Sequence, residues 1–219
     1  MAELQTEEEQ LEAIKRWWKA NGTSLIAGVV IAAAGVFGWK AWQSYQANQA
    51  EAASMRYQQL LSLAGQDELE ADAMAQAQQL IGEIQDEHGG TLYADLSALL
   101  QARLAIADGN HAAAMDALQG LIERTERPYL QGLARLRLAR VQLADGNPDK
   151  ALATLEAGVP DALSAQQANT RGDILVALGR EDEARDAYRN ALRLVQEGGQ
   201  PVPGVQLKLD NLGAEDATL

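Results

Sequence analysis

The chain has no cysteine, a single phenylalanine and only two histidines among its 219 residues. Without cysteine there are no disulfides, thiolate nucleophiles or cysteine-ligated metals. Aromatic residues make up 5% of the chain while hydrophobic residues make up 47%, so the apolar set is dominated by small and aliphatic side chains. Such a set suits closely packed helices, whereas strands favour aromatic and β-branched residues. We therefore expect an all-α fold.

Patterns that serve catalysis are also missing. No glycine-rich loop follows a predicted strand, and no serine lies in a nucleophile elbow. His88 and His111 follow helix ends without a second ligand at metal-binding spacing. Surface turn histidines are the favoured interpretation of both, and metal ligation is the alternative. The sequence predicts a protein that is not an enzyme, with no catalytic residues, no metal and no cofactor.

The charge is strongly one-sided, with 18 basic against 31 acidic residues and a net charge of −13. An acidic domain repels the phosphate backbone of nucleic acids, so no nucleic-acid partner is expected. The same repulsion argues against a domain that lies flat on anionic lipid.

One apolar run dominates the N-terminal part of the chain. Residues 25–39 contain no charge, and tryptophans flank the run at positions 17, 18, 39 and 42. About 20 apolar residues span a bilayer core as a helix, and paired aromatics mark the membrane interfaces. The sequence therefore predicts one transmembrane helix at residues 24–42, in contact with membrane lipid.

Two other interpretations of this run remain. A cleaved signal peptide would use the small residues 32–34, but the preceding region is acid-rich and the apolar run continues to Trp39. A buried core helix of a soluble protein would normally show a polar face, which this run lacks.

Basic residues near the run predict its orientation. Lys15, Arg16 and Lys19 precede it, whereas Lys40 alone lies close on the other side. Positive residues stay in the cytoplasm, so residues 1–23 form a cytoplasmic tail and the chain after Trp42 is translocated. Thr6 and Glu9 have the spacing of a capping box. The sequence predicts that a short amphipathic helix follows it at the membrane surface. The alternative for this tail is a docking peptide for a cytoplasmic partner.

After Trp42 the helix is predicted to continue until Gly65, followed by a second helix from Leu69 to Gln85. Three similar turns come next, centred on Gly109, Gly146 and Gly179, which lie 37 and then 33 residues apart. Repeats of this period with a helix–turn–helix unit indicate an α-solenoid.

Each of these turns is followed, five residues after its glycine, by an alanine: Ala114, Ala151 and Ala184. The last unit has the tetratricopeptide residues Gly172, Ala184, Tyr188 and Ala191. In the two earlier units alanine replaces the first glycine and leucine replaces the tyrosine, at Ala102, Ala139, Leu118 and Leu155. We assign residues 43–197 to a tetratricopeptide-like α-solenoid. Residues 198–219 form a capping tail through Val205, Leu207, Leu209 and Leu212.

In such a stack the first helix of each pair lines a concave face. Arg103, Arg140 and Asp173 occupy equivalent places, each six residues before its turn glycine. Two arginines one repeat apart can hold a peptide carbonyl or carboxylate, and the alternative is that they pair with local acids. The predicted partner-binding residues are Leu99, Arg103, Ile106, Leu136, Arg140, Leu143, Asn169 and Asp173.

The order of these segments resembles the YfgM family of ancillary SecYEG translocon subunits. The tail ends in EAIKRWWKANG, and the apolar run ends in GWKAW. The repeats contain LRLARVQLADG and NTRGDILVALG, and the C-terminal tail contains VQLKLDNL. The resemblance implies an inner-membrane protein with a periplasmic domain, SecYEG and the chaperone PpiD as partners, and the transfer of exported polypeptides to periplasmic chaperones. It also implies a link between the tail and a cytoplasmic stress-response regulator. The competing hypothesis is an envelope assembly scaffold that binds folded cell-wall or outer-membrane biogenesis proteins.

Overall fold

The computed structural model describes residues 7–65 and 70–213, and within them every regular element is helical. A 3₁₀ turn at Asp161–Leu163 precedes the seventh α-helix. The helices are α1 (Glu7–Ala64), α2 (Ala71–Glu87), α3 (Leu92–Ala107), α4 (His111–Arg124), α5 (Pro128–Ala144), α6 (Pro148–Glu156), α7 (Ser164–Ala177), α8 (Glu181–Gln196) and α9 (Val205–Asn211).

The chain divides into two compact units, Met1–Glu51 and Ala52–Leu219. In the first unit, α1 has nearly all its apolar side chains exposed, from Leu25 to Trp42. A core helix of a soluble protein would bury these residues, so the structure does not support that interpretation. The segment Glu9–Ala64 is long and apolar enough to cross a membrane, by length and composition.

The separate short helix predicted in the tail is not observed, because α1 runs through Gly22 without a break. One glycine inside a helix costs about 1 kcal/mol, which is too little to end a long helix. Here the ring of Trp18 also covers Gly22. The predicted capping box depends on Thr6, which lies outside the described residues. The predicted continuation of the helix as far as Gly65 is confirmed.

The second unit is built from antiparallel helix pairs. The first pair joins the end of α1 to α2, and Leu60, Ile81 and Ile84 pack there against α3. The pairs α3–α4 and α5–α6 follow, and α7 with α8 forms the last complete repeat. The all-α, tetratricopeptide-like architecture predicted from the sequence is therefore confirmed.

The three turn glycines behave as predicted. Gly109, Gly146 and Gly179 have φ of 72°, 79° and 71°, a left-handed conformation that glycine adopts at little cost. The next backbone N–H in each case donates to the carbonyl five residues earlier, as in Asn110 to Ala105 at 2.8 Å. The alanines five residues after each glycine are fully buried, so the second helix of each pair packs closely on the first.

One layer of the core recurs in each repeat, formed by two residues that lie 16 positions apart. Ala102 packs with Leu118 in one core cluster. Ala139 packs with Leu155 in another. In the last repeat the layer is Gly172 with Tyr188, and the tyrosine ring occupies the space that a glycine side chain leaves open. A small residue is thus matched to a larger one in each of these three repeats.

A buried carboxylate fixes α3 relative to α5. Asp95 is buried at the start of α3, and its Oδ2 accepts hydrogen bonds from Thr125 Oγ1 at 2.6 Å and Arg127 Nη1 at 2.8 Å. Both donors lie in the link between α4 and α5. Because a buried charge is costly without partners, this contact sets the position of α5 beside α3.

The tail packs as a cap through most of the predicted residues. Val205 is buried, and Leu209 and Leu212 pack against the same cluster of α7 and α8 side chains. Leu207 is 65% exposed, so its inclusion in the cap was wrong. On a helix of only two turns it lies on the opposite face from Val205 and Leu209. Residues 214–219 of the predicted tail lie outside the described part of the chain.

Candidate functional site

A cavity of about 380 Å³ opens where α3, α4 and α5 meet. Its volume is within the range of small-ligand and side-chain pockets. Its wall is mostly aliphatic, with positively charged side chains from α3 and α5. The lining residues are Leu99, Ala102, Arg103, Ile106, His111, Leu118, Arg137, Arg140, Val141 and Ala144.

Three guanidinium groups line this one cavity: those of Arg103, Arg137 and Arg140. Arg140 Nε donates to the hydroxyl of buried Thr170 at 3.1 Å. Among the residues that the structure describes, no carboxylate lies within the 4.0 Å of an ion pair from any of the three. The interpretation that Arg103 and Arg140 pair with local acids therefore finds no support in the described residues.

Burial lowers the pKa of Arg137, and the positive charge of Arg140 acts in the same direction. Tyr57 partly opposes this effect, while Arg103 adds to it. Arginine remains protonated at neutral pH even so. The cavity thus concentrates positive charge on an apolar wall and favours an anion there.

Arg137 lines the cavity but was not predicted from the sequence, although a signal for it was present. Arg137 and Arg140 are three residues apart on α5, and helical residues at that spacing share a face. Arg137 has no arginine equivalent in the neighbouring units, so a comparison of equivalent repeat positions does not reveal it.

The far end of the predicted groove is occupied by the chain itself. Lys208 Nζ of α9 lies 2.6 Å and 2.8 Å from the two carboxylate oxygens of Asp173, and 3.1 Å from Asn169 Oδ1. The hydroxyl of Tyr188 also donates to Asp173, at 2.8 Å. Asn169 and Asp173 were predicted to face a partner, but they hold the C-terminal helix.

Burial raises the pKa of Tyr188, and its hydrogen bond to Asp173 and the negative charge of that carboxylate raise it further. The hydroxyl therefore stays protonated well above neutral pH and remains a donor to Asp173.

The apolar residues predicted for the groove differ in their exposure. Leu136 is 1% exposed and belongs to the core with Ala139 and Ile174, so it is not accessible to a partner. Leu143 is half-buried against the same core. Leu99 is also buried but borders the cavity, and Ile106 is 44% exposed at its rim. The structure thus brings together Leu99, Arg103, Ile106 and Arg140, and adds Arg137.

The surface-turn interpretation is wrong for His88. This side chain is 8% exposed, and its Nε2 lies 3.1 Å from Nη1 of Arg56 at the end of α1. The long helix covers the turn, a contact that local sequence cannot reveal. His111 is half-buried at the cavity, with Nδ1 3.5 Å from a carboxylate oxygen of Asp145. No group of three metal-ligating side chains is found within residues 7–65 and 70–213.

Comparison with known proteins gives a consistent result over nearly the whole chain. The family model for the tetratricopeptide repeat-like domain matches residues 15–214. The "Ancillary SecYEG translocon subunit" of Aggregatibacter actinomycetemcomitans is 34% identical over 97% of this chain and 100% of its own length. The protein of that name in Haemophilus influenzae is 31% identical, over 94% of this chain and 97% of its own.

The "Ancillary SecYEG translocon subunit" of Escherichia coli is 29% identical, over 86% of this chain and 88% of its own length. No solved structure matches the chain significantly. Identity above 30% over nearly complete lengths, together with the domain match, establishes the family. The chain belongs to the tetratricopeptide repeat-like family that includes these ancillary SecYEG translocon subunits.

Proposed function

We propose that the protein is a membrane-anchored, non-catalytic interaction subunit that associates with the SecYEG translocon. The observation that supports this most directly is similarity at 34% identity over 97% of the chain to a relative named for that role. An exposed apolar helix suited to a bilayer and an interaction-type repeat domain are consistent with it.

The proposal includes a topology and a set of partners. Residues 1–23 lie in the cytoplasm, residues 24–42 cross the inner membrane, and the repeat domain lies in the periplasm. There the protein works with PpiD and helps exported polypeptides to reach periplasmic chaperones, while the tail contacts a stress-response regulator. These finer points rest on the family resemblance and on the basic flank at Lys15, Arg16 and Lys19.

Partner contact is assigned to the surface that Leu99, Arg103, Ile106, Arg137 and Arg140 form along α3 and α5, called the arginine groove below. An apolar wall with fixed positive charges can orient a bound polypeptide segment. Anchoring holds this surface near the membrane and raises the effective concentration of any partner there.

Site-specific photo-crosslinking in cells tests the association. A photoreactive residue at Phe37 of α1 or Ile106 of the arginine groove is expected to give adducts with SecYEG subunits. Additional adducts with PpiD would support that partner as well. The matched control is Asp116, an exposed residue of α4 that does not line the cavity. Adducts only with cell-wall or outer-membrane machinery would instead favour the assembly scaffold. Absence of SecYEG adducts from both positions would contradict the proposal.

The topology is tested by thiol labelling, since the chain has no cysteine of its own. In intact spheroplasts, a membrane-impermeant maleimide should label Asp116→Cys in the domain. Glu9→Cys in the tail should be labelled only after lysis. Labelling of Glu9→Cys in intact spheroplasts would refute the orientation, and a soluble product beginning near Gly35 would show cleavage.

A further inference from the structure

The arginines of the groove differ from most others in the repeat domain. Six arginines have carboxylate partners within ion-pair distance: Arg56, Arg127, Arg180, Arg185, Arg189 and Arg193. Arg103, Arg137 and Arg140 have none among the described residues, although the whole chain has a net charge of −13. The chain has 31 acidic residues, yet none of the described carboxylates pairs with these three neighbouring arginines. An external anion would supply the negative charge that the site lacks.

The apolar part of the cavity lies directly beside these charges. Leu99, Ala102 and Val141 form its wall, and Ile106 stands exposed at the rim. A guanidinium binds a carboxylate through two parallel N–H···O bonds, and does so more strongly on a partly desolvated wall. An aliphatic side chain next to that carboxylate would enter the cavity and cover the exposed rim.

We propose that the cavity binds polypeptide segments in which a carboxylate stands next to a leucine-sized apolar side chain. This rests on the proposed function, because it specifies the kind of segment that the arginine groove takes from a partner or client. The carboxylate is that of an aspartate or glutamate side chain within the segment, and binding through a chain-end carboxylate is an outcome that the test separates. Charge complementarity selects an acidic segment over a basic or neutral one.

Fluorescence anisotropy with the full-length protein in a neutral detergent tests this. The probe is a fluorescein-labelled, C-terminally amidated peptide of sequence Gly-Leu-Asp-Leu-Glu-Leu-Gly. One control peptide replaces the acids by Asn and Gln, and another replaces each leucine by serine. A fourth peptide has the Asn and Gln sequence with a free terminal carboxylate. It should bind no more tightly than its amidated form, and affinity equal to that of the acidic peptide would overturn the assignment to an acidic side chain.

The acidic, apolar peptide is expected to bind at least about tenfold more tightly than the Asn/Gln or the serine peptide. Added salt should weaken its binding, since the contact is ionic. Arg103→Gln and Arg137→Gln should each lower the affinity by about tenfold or more. Arg171→Gln removes the same charge from an exposed site on α7 outside this cavity, and should leave the affinity unchanged.

Equal affinity for the acidic and the Asn/Gln peptide would overturn the proposal. An equal loss with Arg171→Gln would also overturn it, because the effect would then reflect overall charge. Arg103 is exposed, so its variant still tests the site if Arg137→Gln lowers the helical content. If the peptide fails while SecYEG adducts from Phe37 persist, the cavity proposal is wrong and the proposed function stands.

Discussion

Replacing Gly172 with alanine is expected to lower the free energy of unfolding of the repeat domain by about 1–3 kcal/mol. A Cβ atom at this position would lie 2.4 Å from Cε1 and 2.6 Å from Cδ1 of Tyr188. The ring cannot move away freely, because Tyr188 is buried and its hydroxyl is bonded to Asp173. Chemical unfolding of the full-length protein in detergent, followed by circular dichroism, measures the loss.

Gly120→Ala is the matched control. Gly120 lies inside α4, and a Cβ there would meet nothing within 4 Å. The same substitution should therefore stabilise the domain by about 0.5–1 kcal/mol, through helix propensity alone. Opposite signs for the two alanine variants would show that close packing, not backbone freedom, explains the need for glycine at position 172.

The chain itself indicates a compensating change. Where the first position of this layer is alanine, as at Ala102 and Ala139, the partner is leucine, at Leu118 and Leu155. Adding Tyr188→Leu to Gly172→Ala should therefore recover part of the lost stability. Additive losses in the double variant would contradict the idea that the two residues form one packing unit.

The features that were predictable from the sequence are local ones. A helix that ends at a glycine with positive φ can be predicted from the few residues around that glycine. Such residues recur at a regular spacing around Gly109, Gly146 and Gly179. The apolar run of α1 is likewise visible in a short window of sequence. The fold class follows from these two patterns, because repeats of one supersecondary unit stack on their neighbours.

The candidate site was harder to predict because its residues interact across long separations. Lys208 fills the end of the groove from 35 positions beyond Asp173. Equivalent repeat positions suggested that Asp173 would continue the line of Arg103 and Arg140, but the C-terminal helix ends the stack there. Leu136 was predicted for the groove but lies in the core. One helix face supplies both groove and core residues, and only the packing of neighbouring helices decides which of them are buried.

The C-terminal helix has a second consequence, which a truncation before Gly204 would reveal. Loss of α9 is expected to lower the free energy of unfolding by about 3–5 kcal/mol. Complete burial of Val205 accounts for about 1.5–3 kcal/mol of this loss, with smaller contributions from half-buried Leu209 and Leu212. The charged hydrogen bonds of Lys208 add to it, reduced because both Lys208 and Asp173 are partly exposed to water.

Two point variants divide this loss into its parts, measured by the same unfolding experiment. Lys208→Met removes the charge that Asp173 and Asn169 contact and should cost less than the truncation, because Val205 stays buried. Leu207→Ala, on the exposed face of α9, should change stability by no more than about 0.5 kcal/mol. If the truncated chain unfolds at the wild-type midpoint, α9 does not stabilise the stack. If Lys208→Met alone lowers the free energy of unfolding as much as the truncation does, the rest of α9 contributes nothing further. The ion pair, and not apolar burial, would then hold the helix in place.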